Sequence, residues 1–287
     1  MALARTIQLR RMELTDVPHA MRFKEAAAWN QTPRDWEAFL RLRPGGCFLA
    51  TLDGEPAGTV TTIAHDGGIG WIGMLLVKPE LRGLGIGARL LDAAIESLSA
   101  SRVVKLDATP EGRKIYLQRG FVDEAALERR VRDRVSVEAE ASEARVAPLE
   151  ATDLTEIAAL DASIFGASRR RLLEEWMQAA PQYAFVLRSG DGINGYCLGR
   201  SGTRREHVGP IVANGFRAAK ALLLAALAVV GDKPAMLDVF SGNIEWLRLL
   251  DSLGFSVERG FMRMRLGPES APGDIERQWA IAGPEVG

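Results

Sequence analysis

The chain has 287 residues, of which 47% are apolar and 25% charged, so it can bury one large or two modest hydrophobic cores. Its formal net charge of −1 gives no overall electrostatic reason to bind nucleic acid or anionic lipid. The longest apolar stretch, residues 221–230, is too short for a bilayer span, and the first residues lack the apolar core of a signal peptide. We therefore expect a soluble, cytoplasmic protein without membrane contacts.

The first part of the chain predicts strands that alternate with helices. Polar and apolar residues alternate along the strands, whereas apolar residues recur every three to four positions along the helices. The predicted elements are a strand at 7–12, helices at 17–29 and 33–42, and a hairpin of strands 47–52 and 57–63 around Asp53 and Gly54.

A glycine-rich loop follows the next strand. The apolar run 74–77 is stopped by Pro79 and is typical of a buried strand. From Ile86 onward apolar residues recur at helical spacing, so a helix begins within the loop. The first N–H groups of a helix lack partners and lie at its positive end, and Arg82 adds a fixed positive charge. The loop therefore predicts a phosphate-binding site.

Two other phosphate-binding motifs compete with this interpretation. Gly83, Gly85 and Ala88 match the dinucleotide pattern G-x-G-x-x-A, and Asp107 lies downstream at a distance suited to a ribose contact. In a dinucleotide fold, however, the strand leads almost directly into the first glycine, and here five residues intervene. A Walker loop is excluded because no Gly-Lys-Ser/Thr follows.

The spacing Arg82-x-x-Gly85-x-Gly87 after a V-x-P strand end resembles motif A of the GCN5-related N-acetyltransferases, the GNAT superfamily. Residues 103–108 predict the next strand, and 110–121 predict a short helix that ends at Gly120. Tyr116, four residues before this Gly-Phe pair, is similar to the tyrosine of the family's motif B. Thr109 stands where the family usually has asparagine.

The resemblance covers roughly residues 48–121 and implies an α/β fold with a mixed, mostly antiparallel sheet flanked by helices. It also implies acetyl-CoA as the co-substrate, no metal, and Tyr116 as the general acid toward the departing thiolate. The cofactor-binding residues that it implies are Leu75, Leu76, Val77, Arg82, Gly83, Leu84, Gly85, Ile86, Gly87, Ala88, Thr109 and Tyr116.

The general base is not evident from the sequence. Many members of the family carry a carboxylate on the strand before the loop, but residues 70–73 read Gly-Trp-Ile-Gly here. His65, Asp66 and Glu25 remain open candidates. The three histidines have no metal-ligand spacing. The two cysteines lie far from both motifs in sequence, which favours direct transfer without a covalent intermediate.

The order of elements repeats in the second half of the chain. Leu106 and Asp107 recur 131 residues later as Leu237 and Asp238, and Gly120–Phe121 recur 134 residues later. This predicts two tandem GNAT-like domains, 1–137 and 144–267, with a linker near 135–144 and a peripheral tail, 268–287. The repeated elements are a strand at 144–148, helices at 153–164 and 169–179, and a hairpin of strands 183–187 and 194–198 around Asp191 and Gly192.

The second copy has lost the loop chemistry. Aligning Pro210 with Pro79 places Ala213, Phe216 and Ala218 at the positions of Arg82, Gly85 and Gly87. The second domain is therefore expected to cover the first, as a substitute for a homodimer partner, or to supply a wall of the acceptor pocket. The arginine-rich run 129–134 is expected to form a solvated face.

These features predict an acetyl-CoA-dependent N-acetyltransferase that acts on a primary amine, a small molecule, by direct transfer in a ternary complex. The protein would be a monomer with two similar halves, or a homodimer. A non-catalytic acyl-CoA binding or sensing protein is the alternative from another class. A nicotinamide-dependent oxidoreductase is the third hypothesis.

Overall fold

A computed structural model of the protein describes residues 5–133, 146–190, 192–268 and 273–287. Within these ranges the strands of both halves join one mixed sheet flanked by helices, which confirms the predicted α/β class. The elements of the first half are β1 (Ile7–Arg11), α1 (Val17–Ala26), α2 (Pro33–Leu42), β2 (Phe48–Leu52), β3 (Glu55–His65), β4 (Ile69–Val77), α3 (Ile86–Ser97), β5 (Val103–Ala108), α4 (Arg113–Leu117) and β6 (Val122–Arg132).

The second half repeats this order and adds one short strand. Its helices are α5 (Leu154–Phe165), α6 (Arg170–Ala179), α7 (Phe216–Val230) and α8 (Ile244–Ser252). Its strands are β7 (Val146–Pro148), β8 (Phe185–Ser189), β9 (Gly192–Arg200), β10 (Glu206–Ala213), β11 (Ala235–Phe240), β12 (Ser256–Leu266) and β13 (Gln278–Ala280). The predicted linker, and Asp191 of the second predicted turn, lie outside the described residues.

Side-chain hydrogen bonds and backbone conformation explain where helix α2 begins and helix α1 ends. Helix α2 begins where predicted because the Thr32 hydroxyl accepts from the Asp35 N–H at 3.3 Å, and the Asp35 carboxylate accepts from the Thr32 N–H at 2.6 Å. Helix α1 ends at Ala26, before the predicted residue 29, and Ala28 has a left-handed φ of 56°.

The two halves exchange strands. The sheet order is β1-β2-β3-β4-β5-β12-β6-β11-β10-β9-β8-β7, so β12 of the second half lies between β5 and β6, and β6 lies between β12 and β11. Pairing along the sheet is antiparallel except between β4 and β5 and between β10 and β11. The strands of the two predicted domains therefore form one shared sheet, in which β6 and β12 each lie between strands of the opposite half.

Matching buried ion pairs lie on either side of the exchanged strands. Arg263 on β12 donates to both oxygens of Asp107 on β5, at 2.8 and 2.9 Å. Arg129 on β6 donates to both oxygens of Asp238 on β11 at the same distances. The repeated aspartates seen in the sequence thus bind arginines from the opposite half. The expectation that the arginine-rich run is solvated is wrong for Arg129, which is buried, as are Arg130 and Arg132.

In the second half, the loop between β10 and α7 is shorter than the glycine-rich loop, and strand β13 occupies the gap between β10 and β11. Strand β10 ends at Ala213 and α7 begins at Phe216, so Gly215, the residue before the helix, corresponds to Gly85. The alignment that placed Phe216 on Gly85 is therefore wrong. Strand β13 pairs with β10 on the side away from β9, where β10 has diverged from β11. Trp279 of β13 packs 6.0 Å from Phe216, centroid to centroid.

The expectation of a peripheral tail is wrong for residues 273–287. Trp279 donates to the Ala213 carbonyl at 3.0 Å, and Val286 is fully buried in a hydrophobic core that residues of both halves form. The Trp71 indole donates to the Pro284 carbonyl at 3.0 Å. Apolar burial and backbone hydrogen bonds therefore draw this segment from the second half across to β4 of the first half.

Candidate active site

A cavity of about 850 Å³ opens where β4 and β5 diverge. These parallel strands pair only between Ile69–Trp71 and Val103–Lys105, so the rest of β4 presents one unpaired edge to the cavity. An unpaired strand edge carries free N–H and C=O groups that can bind an extended ligand.

A bulge shapes this edge of β4. Met74 is buried and has a φ of 50°, a conformation that non-glycine residues seldom adopt. The pairing register between β3 and β4 shifts here, and the Thr59 hydroxyl donates to the Met74 carbonyl at 3.1 Å. The bulge bends β4 away from β5 and keeps the cavity open.

The glycine-rich loop lies at the entrance to helix α3. Gly83 and Gly85 have φ values of 81° and 83°, where a side chain would be strained, and no side chain caps the helix. Among the described residues, no group accepts a hydrogen bond from the N–H of Ile86, Gly87 or Ala88. Together with exposed Arg82, these free donors fit the diphosphate of a CoA thioester.

Tyr116 lies on α4 with its ring buried against Phe121, at 5.9 Å between centroids. Its hydroxyl makes no hydrogen bond to any described residue, although the side chain lines the cavity. Burial raises the pKa of Tyr116 above its usual value of 10.0, so the phenol keeps its proton at neutral pH. A neutral hydroxyl of this kind can donate a proton to a bound group.

The structure brings the predicted cofactor-binding residues together around this cavity, with one exception. Leu84 lies in the loop but does not line the cavity. Asp107 belongs to the lining, yet its side chain is completely buried in the ion pair with Arg263, so it is not accessible to a ribose. The roles of the residues remain predictions. The predicted residues that line the cavity are Leu75, Leu76, Val77, Arg82, Gly83, Gly85, Ile86, Gly87, Ala88, Thr109 and Tyr116.

None of the three candidate bases lines the cavity. Glu25 is exposed on α1, and Asp66 lies in the turn that joins β3 to β4, where it bridges to Ser168. His65 is buried beside that turn and lies edge-on to Phe165, at 5.4 Å between centroids. Burial, assisted by the charge of Arg169, lowers the pKa of His65 to about 4. We therefore assign His65 to the core.

The buried His65 predicts a loss of stability in acid. Its pKa falls from 6.5 in the unfolded chain to about 4 in the folded protein, so the unfolded chain takes up the proton first as the pH drops. Between pH 7 and pH 5 this linkage costs about 2 kcal/mol in the free energy of unfolding. Urea titrations at both pH values should show a smaller acid loss in His65→Leu than in wild type. Equal losses would contradict the assignment.

The sequence analysis missed two buried polar residues that line the cavity. Gln31 lies between α1 and α2, and Glu285 lies in the last segment of the chain. A Cβ atom at Gly73 would lie 2.8 Å from the Glu285 Cα and closer still to its carbonyl oxygen, so glycine is required here. The apolar run 279–282 is a sequence signal from which burial of this segment could have been predicted.

A buried network holds Glu285 in place. Arg200 forms ion pairs with Glu285 and, at 2.8 Å, with Asp35 of α2. The Arg200 guanidinium also stacks on Trp176, 4.9 Å from the ring centroid. Elements of both halves therefore fix the wall of the cavity beside β4.

No group of three or more histidine, cysteine or acidic side chains in the described ranges is arranged to hold a metal ion. Among the same residues, no helix has the length and apolar character to cross a membrane.

Comparisons with known families place both halves in one superfamily. The model of the acetyltransferase (GNAT) family matches residues 8–121, and that of an acetyltransferase (GNAT) domain matches residues 157–280. The chain therefore belongs to the GNAT superfamily and has a tandem arrangement of two such domains. Members of this superfamily use acyl-CoA, so the class of reaction is acyl transfer.

Individual proteins agree with this assignment. The chain is 28% identical over 263 residues to holothin acyltransferase from Pseudoalteromonas sp. (strain SANK 73390), covering 91% of this chain and 88% of that protein. A crystal structure of a Pyrococcus horikoshii protein provisionally named an acetyltransferase has a TM-score of 0.83 at 24% identity, covering 98% and 96%. A tandem GNAT protein from the clavulanic acid biosynthesis pathway has a TM-score of 0.63 at 14% identity, covering 92% and 100%.

Proposed function

We propose that the protein is an acetyl-CoA-dependent N-acetyltransferase that acts on the primary amine of a small molecule. The observation that carries the proposal is that the glycine loop, the free edge of β4 and Tyr116 line one cavity. The loop would bind the diphosphate, and the β4 edge would bind the pantetheine arm. The cytoplasm is the compartment we propose, since acetyl-CoA is available there.

The reaction would be a direct transfer in a ternary complex. The neutral amine nitrogen forms a bond to the thioester carbonyl carbon, and the carbon–sulfur bond breaks. The departing sulfur takes the Tyr116 proton, and the proton released by the new amide nitrogen returns to Tyr116 through water. Cys47 and Cys197 are both buried and do not line the cavity, and burial raises the pKa of each thiol, so neither is placed to act as a nucleophile.

An acyl-CoA sensor is the second candidate, because the loop and the β4 edge would serve binding alone. The two functions differ in turnover. An acetyltransferase releases free CoA thiol when an amine is present, whereas a sensor binds acetyl-CoA and releases none.

We expect Arg82→Ala to raise the Kd for acetyl-CoA about tenfold, because it removes one charged hydrogen bond to a phosphate. Isothermal titration of the purified protein measures this change. Arg89→Ala is the matched control, since Arg89 is also exposed and near the loop but does not line the cavity. Equal affinities in both variants would show that Arg82 does not contact the diphosphate. Failure of wild type to bind acetyl-CoA would overturn the proposed function.

A further inference from the structure

Gln31 and Glu285 lie at the part of the cavity where a thioester would meet its acceptor. The glycine loop follows the end of β4 at Val77, whereas Glu285 packs on Gly73, four residues earlier along the strand. A CoA thioester whose diphosphate lies at the loop would run along the β4 edge toward Gly73. The acceptor nitrogen must then approach the carbonyl carbon beside Gln31 and Glu285.

Gln31 carries a buried acceptor with no partner. Only 4% of the residue is exposed, and its Oε1 atom accepts no hydrogen bond within the described structure. The Gln31 side chain contributes to the lowered pKa of Glu285, and only its amide NH₂ can donate to an ionised carboxylate, so Oε1 is the atom left free. An acceptor left unpaired in the interior costs about 1–3 kcal/mol, so Oε1 favours a ligand that brings an N–H or O–H group.

Glu285 supplies a second acceptor whose charge is fixed. Burial alone would raise the pKa of Glu285, but the charge and hydrogen bonds of Arg200 lower it below its usual value. The carboxylate therefore stays ionised at neutral pH and can only accept hydrogen bonds. The ion pair with Arg200 and the contact with Gly73 restrict where it can point.

We infer that Gln31 Oε1 and the Glu285 carboxylate bind the two N–H groups of a neutral primary amine and leave its lone pair free to attack. The inference rests on the proposed function and defines the acceptor class. A secondary amine or a hydroxyl brings one donor, so it leaves one buried acceptor unpaired. Such a site rejects an analogue that lacks the second donor.

An apolar part of the cavity wall indicates which chemical group the acceptor carries beside its amine. The apolar side chains of Trp29, Phe261 and Pro284 line the same cavity. Aromatic and proline surfaces bind apolar groups, so an arylalkyl amine fits the wall better than a polyamine. Benzylamine, tyramine and tryptamine are therefore the first members of a primary-amine panel.

The test measures thiol release by wild type with acetyl-CoA and this panel. The fastest amine is then compared with its N-methyl derivative. We expect kcat/KM to fall at least about tenfold for the N-methyl compound, because one buried acceptor loses its donor. Thiol release of similar efficiency from both compounds would overturn the inference.

Two variants test whether Gln31 and Glu285 bind the primary amine. Gln31→Leu and Glu285→Gln should each raise the KM of the primary amine about tenfold and leave the Kd for acetyl-CoA within about twofold. Gln31→Leu should also reduce the discrimination against the N-methyl amine to less than about threefold. Gln178→Leu, at an exposed position outside the cavity, is the matched control and should behave as wild type.

The outcomes distinguish a failure of the proposed amine subsite, formed by Gln31 and Glu285, from a failure of the proposed acetyltransferase function. Active variants with an unchanged amine KM and unchanged discrimination would overturn the subsite alone. Absence of thiol release by wild type with every amine would overturn the acetyltransferase and the subsite together. If one variant does not fold, the other variant and the wild-type comparison with the N-methyl amine still decide the question.

Discussion

We expect Tyr116→Phe to lower kcat for thiol release at least about a hundredfold, while the KM for the amine and the Kd for acetyl-CoA change little. General acid catalysis by a positioned side chain is worth 10²- to 10⁴-fold, and the phenol is the proton donor in the proposed step. Phenylalanine keeps the ring that packs on Phe121, so the variant removes the proton and retains the apolar contact. Steady-state kinetics with the best amine of the panel measures the change.

Tyr183→Phe is the matched control for this prediction. Tyr183 is also a buried tyrosine, but it lies in the second half and does not line the cavity. We expect this control to keep the wild-type kcat. A Tyr116→Phe variant with wild-type kcat would show that the thiolate leaves without its help, and the role of the residue would then be packing alone.

The pattern of elements was predictable from the sequence because local chemistry determines it. The spans of β5 and α2 follow from nearby residues, and the structure has both where they were expected. The exchange of β6 and β12 was not predictable, because the residues within a strand do not determine which other strand it pairs with. The burial of Arg129 depends on Asp238, which lies 109 residues away in sequence. The local charge pattern therefore led to the wrong prediction that Arg129 is exposed to solvent.

The grouping of the loop and β4 residues around one cavity was predictable, and the convergence of Gln31 and Glu285 on that cavity was not. Residues of the loop and β4 are close in sequence, so their spacing indicated a phosphate site. Gln31 and Glu285 lie 254 residues apart in sequence and converge only because the last segment crosses from β10 to β4. The absence of a carboxylate on β4 at Gly73 was correctly seen, but its physical reason is the backbone of Glu285.

The exchanged strands predict that both halves unfold together. We expect Asp238→Ala to lower the free energy of unfolding by about 3–5 kcal/mol, because it leaves the buried charge of Arg129 without its partner. Asp238 is completely buried and accepts both hydrogen bonds of the pair. Urea titration followed by circular dichroism measures the loss.

Asp251→Ala is the matched control, because Asp251 also pairs with an arginine of β6, Arg130, but its side chain is 59% exposed. Asp251 is solvated, and Arg130 keeps Glu128 as a second acidic partner when Asp251 is removed, so the control should lose far less. Because β6 and β12 each lie between strands of the other half, wild type and both variants should show one cooperative transition. A two-step transition in which Asp238→Ala shifts only one step would show that the halves unfold separately, despite the shared sheet.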